Sequence, residues 1–223
     1  MSVDSGPLRP GRNSVTEQAS LRSIVGAVTL GAGYGSVVSL SNELSLRLAD
    51  LETRDWAAEA GSRAWAAEIA SLILGAGWAW ATLAVAAGWL AGARAAVAAL
   101  SGALALLAAT SGYYVTDSIV RQEPFGSYTR EVLLWALASI VLGPALGLLG
   151  ALIRHTGMPG LLARLSVPAG ASLQMIVLPP ASGHLIATPA MEWTPLIVWA
   201  AAGVVALALV TRYRRRLRTP AGA

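Results

Sequence analysis

Hydrophobic and polar positions divide this chain into long uncharged runs joined by short charged connections. Five runs of 19 or more residues carry no charged side chain: 23–41, 69–91, 95–116, 132–153 and 193–211. A helix rises 1.5 Å per residue, so about 20 apolar residues cross a hydrocarbon layer about 30 Å thick. Each run therefore predicts a membrane span. Residues 69–116 hold one charge, Arg94, and are too long for one crossing. They divide at Ala91-Gly92-Ala93-Arg94.

A sixth apolar stretch, Val167 to Pro195, breaks the pattern. It holds Pro168, Pro179, Pro180, Pro189 and Pro195, together with His184 and Glu192. The expectation is an irregular, proline-broken fifth span over 167–187. Non-helical backbone at membrane depth survives where protein or water satisfies it, and discontinuous helices build binding sites in transporters.

The connection 42–68 is the one long charged loop. Glu43 with Arg47, Asp50 with Arg54, and Glu59 with Arg63 place an acid four residues before a base, the favourable order on a helix. Leu44, Leu48 and Leu51 share one face. These spacings predict an outer amphipathic helix over 43–60 lying on the membrane surface, with Trp56 and Trp65 at the interface. Gly61-Ser62 is expected to end it, with Ser62 capping the next helix.

The fold class expected is all-α: a polytopic bundle of six transmembrane helices in a single domain, 23–211. Residues 1–22 are expected as a disordered cytoplasmic tail and 212–223 as a basic one. Composition agrees: 55% of residues are hydrophobic and 13% charged, where soluble domains carry about 25% charged. The pI of about 10.1 follows from topology rather than from nucleic-acid binding. With the N-terminus inside, eleven arginines and two acids face the cytoplasm, and five arginines and ten acids face outward. That satisfies the positive-inside rule with both termini cytoplasmic, in the cell membrane. The terminal arginines 212, 214, 215, 216 and 218 should meet anionic headgroups. Every basic residue is Arg and none is Lys, which suggests a GC-rich bacterial source.

Small residues mark close helix packing. Ala27, Gly31 and Gly35 recur every four residues on the first span, and Gly143 and Gly147 flank Pro144 on the fourth. Gly31 to Gly35 has a superficial phosphate-loop look, but no strand precedes it.

Chemistry-bearing residues are few. There is no cysteine, and no zinc, Walker or nucleophile-elbow motif. His155 and His184 lie on opposite sides or depths, so no metal site and no cofactor is expected. Glu68, Asp117 and Glu192, with Glu131, stand at outer span ends and are the candidate general acids. His184, Gln174, Trp78 and Trp80 are candidate ligand contacts. Trp78 and Trp80 are two residues apart and point in nearly opposite directions on a helix.

Ala64-Trp65, Gly88, Arg94, Gly112-Tyr113-Tyr114 and Pro168-Ala169-Gly170 give residues 60–170 a resemblance to a family of small multi-pass membrane proteins of unknown function from GC-rich bacteria. That resemblance implies the architecture alone. Ala27, Gly31 and Gly35 also make the first span similar to that of the six-helix substrate-capture subunits of vitamin uptake transporters, which implies docking of a partner by the first span; with the small residues of the fourth, the expected docking face is the first and fourth spans.

Three functions are consistent with these features. The first is a small-molecule- or lipid-binding transport or accessory component, with the bilayer and a membrane protein or second copy as partners. The second is a membrane-embedded enzyme acting on an isoprenoid-like substrate. The third is an immunity or resistance protein.

Overall fold

The computed structural model describes residues 12–54, 58–92, 94–182 and 187–218. Among them every regular element is a helix: α1 (Arg12–Arg54), α2 (Ala58–Gly75), α3 (Gly77–Ala91), α4 (Ala95–Arg121), a 3-10 turn (Phe125–Tyr128), α5 (Thr129–Leu152), α6 (Met158–Val177) and α7 (Pro189–Arg218). Five helices are long and apolar enough to cross a membrane, or six if α2 and α3 together make one bent span.

The first helix departs from expectation. Residues 12–22 are helical, and α1 continues without interruption through 43–54. No glycine or proline follows Gly35 before Arg54, so nothing in the backbone stops the helix there. The charged segment is thus an extension of the first span rather than a separate surface helix. At 43 residues α1 is about 65 Å long, twice the hydrocarbon thickness. Glu43 and Arg47 pair at 2.7 Å on the extension. Trp56 lies outside the described residues. Gly61 and Ser62 sit inside α2 rather than ending a helix; one helical glycine costs only about 1 kcal/mol.

The irregular segment is the second, not the fifth. Gly61–Gly75 and Gly77–Ala91 meet at 56°, with Ala76 extended at φ −66°, ψ 141°. By contrast, α6 is a 20-residue helix that starts at Met158 and runs through Pro168. Pro179 and Pro180 lie beyond its end, and Pro189 opens α7, where a missing N–H costs nothing. The prolines therefore bracket helices more than they break one. Likewise α5 is helical throughout its length, with Pro144 inside it.

Helix α4 is the centre. α1 lies along one side of it and α5 along the other, with α3 wedged against both, while α6 and α7 pair with each other and reach the rest through α2, α3 and α5. Backbones touch where side chains vanish. A Cβ at Gly35 would lie 1.9 Å from the Ala109 carbonyl oxygen, and one at Gly147 would lie 2.1 Å from that of Ala98. Without a hydrophobic drive between helices in lipid, such contact is the main source of association. The core is accordingly alanine-rich: Ala27, Ala84, Ala87, Ala105 and Ala109 are buried together with Leu83 and Leu106. Large apolar residues point outward instead, Leu133, Leu137, Ile140 and Val141 on α5 and Val204 and Leu207 on α7 among them. That inside-out distribution is the one a bilayer solvates.

The bundle has two chemically distinct ends. Arg94 donates to Ser20 at 3.2 Å, and Arg154 donates to the Trp89 carbonyl at 2.8 Å while lying 6.0 Å from its ring. At the opposite end Asp117 is buried between α1 and α4. It accepts from Ser39 and pairs with Arg121 at 3.1 Å, which in turn lies 3.8 Å from Glu43.

Candidate functional site

A break between two apolar helices strips backbone groups of their partners, and the first question is what replaces them. At the α2–α3 break the answer comes from two distant side chains. Tyr34 of α1 donates its hydroxyl to the Leu74 carbonyl at 2.6 Å. Gln174 of α6 accepts the Trp78 N–H through Oε1 at 2.7 Å. One side chain satisfies the C-terminus of the first half-helix, and the other satisfies the N-terminus of the second. Gly77 makes room for this: a Cβ there would stand 3.3 Å from the Gln174 oxygen.

Two cavities flank the break. The first, about 370 Å³, is walled by Trp80, Tyr113, Tyr114 and Trp135. Its remaining surface is largely apolar, with Asn42, Thr110 and Ser139 supplying polar points. Trp135, Ser139, Leu142 and Leu146 recur at helical spacing and make its α5 wall. Edge-to-face ring contacts run from Tyr34 to Trp80 (5.7 Å), on to Tyr113 (6.3 Å) and Tyr114 (5.0 Å), and a tilted contact at 5.3 Å adds Tyr128. Such contacts fix the rings and so hold the cavity open.

The second cavity, about 490 Å³, is more open and more polar. Glu68, Ser71, Arg121 and Gln174 line it, with Met175 and Met191 as apolar wall. Asn42 and Gly75 line both cavities. The Asn42 amide stands between them, accepting from Ser71 at 2.5 Å and donating to the Tyr113 hydroxyl at 3.1 Å.

The carboxylates singled out in the sequence are not gathered in one place. Glu68 lines the second cavity and accepts from Thr188. Asp117 is buried but committed to Ser39 and Arg121. Glu192 is exposed in the first turn of α7, and Glu131 is exposed in the first turn of α5, where the helix dipole favours them.

Among the ligand-contact candidates, Trp80 lines the first cavity and Gln174 the second. Trp78 turns the other way. It packs on Ala76, Ala171, Met175 and Val198, and its indole nitrogen is buried without a hydrogen-bond partner. His184 lies outside the described residues. The small-residue faces that were expected to dock a partner are occupied from within: Gly31 and Gly35 by α4, Gly143 by α4, and Gly147 by α4 and, through Gly88, by α3. Asn42, Ser71 and Trp135 were not singled out in the sequence, and Tyr113 stood out only as part of Gly112-Tyr113-Tyr114, not as a cavity residue. The one available signal was Gly75-Ala76-Gly77, two glycines bracketing one residue in mid-span.

Comparison with known proteins adds one result. The profile of a family of unknown function (DUF6518) matches residues 69–223. No curated protein and no solved structure matches the chain. The matched region begins one residue after Glu68, so α1 and most of α2 lie before it, although α1 contributes Val38 and Asn42 to the first cavity.

Proposed function

The chain belongs to this family of unknown function, and from that premise we propose that it is a cytoplasmic-membrane component that binds a small or lipidic molecule in the cavities beside the α2–α3 break, as part of transport or as an accessory to it. The observation that carries this reading is the first cavity. Aromatic rings fixed by one another enclose a largely apolar space next to a discontinuous span, the usual construction of a ligand pocket with a few convergent polar groups.

The orientation proposed has both termini in the cytoplasm. Arg94, Arg154 and Arg164 mark the turns at one end of the bundle, and Asp117, Glu123 and Glu131 those at the other. The positive-inside rule assigns the arginine end to the cytoplasm. The cavity residues Asn42 and Tyr113 then lie toward the outer face.

Enzymatic chemistry on an apolar substrate would require a carboxylate facing the aromatic cavity. Glu68 faces the other cavity, Asp117 is held by Arg121, and Glu192 is exposed. The geometry therefore favours binding over acid catalysis.

The test is mass spectrometry of the protein released from lipid nanodiscs. A specific small molecule should accompany the native chain and be lost from Ala81→Trp, which fills the first cavity, and from Trp80→Ala, which removes its wall. Bulk phospholipid alone, carried equally by all three, would overturn the reading.

A further inference from the structure

The second cavity is lined by one cation, Arg121, and one carboxylate, Glu68, and the two are not paired with each other. Arg121 lies 3.1 Å from Asp117 and 3.8 Å from Glu43, and Glu43 also holds Arg47 at 2.7 Å. Arg121 is thus committed to Asp117 and Glu43, outside the cavity lining. Glu68 is left over. Its partner among the described residues is the Thr188 hydroxyl, a neutral donor. A carboxylate lining a half-buried chamber without a cation is costly, and a cationic ligand removes that cost.

The neighbouring chamber has the complementary chemistry. Trp80, Tyr113, Tyr114 and Trp135 offer π faces, which attract cations and apolar bodies alike and repel anions. Only the Asn42 amide and Gly75 are shared by both chambers. Asn42 is held by two neutral hydroxyls, Ser71 on one side and Tyr113 on the other. That one amide stands between an aromatic pocket and a carboxylate.

We propose that the two chambers form one site for a lipophilic monocation: an apolar body among the tryptophan and tyrosine rings, with its positive charge, a protonated or quaternary amine or an equivalent onium centre, drawn to Glu68 past Asn42. This deepens the binding reading above and rests on it.

The probe is tetraphenylphosphonium, with tetraphenylborate as an anion of nearly the same shape. Binding to the full chain in nanodiscs is followed by quenching of tryptophan fluorescence. The native protein should bind the cation and discriminate against the anion. Glu68→Gln keeps an acceptor for Thr188 and removes the charge, so it should weaken cation binding about tenfold or more. Glu192→Gln, outside both cavities, should bind as the native chain does. Displacement of the phosphonium by a choline phospholipid would identify a lipid headgroup as the source of the cation, and its absence a free organic cation; both carry the assignment.

Equal affinity for cation and anion, or unchanged binding in Glu68→Gln, overturns the proposal. If a neutral molecule accompanies the native chain and is lost from Ala81→Trp while Glu68→Gln changes nothing, the cation assignment falls and the binding reading stands. If nothing specific binds in either experiment, both fall.

Discussion

Gln174 and Trp78 are 96 residues apart in the chain, yet the side-chain oxygen of one accepts the backbone N–H of the other at 2.7 Å. The bond joins α6 to the first turn of α3, and it is what a bent span needs at its second half. Gln174→Leu should leave that N–H unsatisfied and cost about 1–3 kcal/mol. Gln174→Glu keeps an acceptor of the same reach and should cost less. Thermal unfolding in detergent compares the two; equal losses would mean that the side chain fills space rather than capping the helix.

A second prediction concerns the packing of α4. Gly35 and Gly147 face backbone carbonyls on its two sides at distances no Cβ tolerates. Gly35→Ala and Gly147→Ala should each cost about 1–3 kcal/mol through forced separation of the helices. Gly33, whose Cβ would meet nothing within 4 Å, should accept alanine without loss. Unfolding midpoints that fail to separate Gly35 from Gly33 would refute the close α1–α4 approach.

The ion pair between buried Asp117 and the more exposed Arg121 makes a third. Removing Arg121 strands the Asp117 carboxylate, which is 4% exposed. Arg121→Gln should therefore cost about 1–3 kcal/mol. Glu43→Gln removes the more distant, better solvated partner and should cost less than about 1 kcal/mol. A double-mutant cycle on Asp117 and Arg121 gives the coupling directly; a coupling near zero would make Ser39 the partner that matters.

Topology supplies the fourth. The chain has no cysteine, so single cysteines can be placed on a silent background. Ser127→Cys, in the exposed turn between α4 and α5, should react with a membrane-impermeant maleimide added to intact cells. Thr156→Cys, in the turn between α5 and α6, should react only after lysis. The reverse pattern would invert the proposed orientation.

The all-helical class and its several apolar helices were legible because hydropathy measures what a bilayer selects. The bend was not. Gly75, Ala76 and Gly77 are as apolar as their neighbours, so the run 69–91 reads as continuous while the backbone turns inside it. Prolines misled in the opposite direction. Pro168 is accommodated within α6, and Pro179 and Pro189 mark where helices stop and start.

The site was partly legible for similar reasons. Glu68, Trp80 and Gln174 stood out by residue type, and each borders a cavity. Gln174, expected to meet a ligand, also caps a helix. Asn42 read as the start of a loop, because a polar residue after an apolar run has that meaning unless the helix continues. Here it continues through Arg54, and the same residue becomes the wall between two cavities.

The angle between α2 and α3 has a mechanical consequence. Glu68 sits seven residues before Gly75, about 10 Å from the joint along helix α2. Swinging that helical arm by about 10° about the joint carries the carboxylate about 2 Å, more than the slack of a hydrogen bond. The arm is held at the joint by Tyr34 and at Glu68 by Thr188, while Gln174 steadies the other arm. A pivot of that size would break the Thr188 bond, so the two hydrogen bonds that hold α2 also fix where the carboxylate stands.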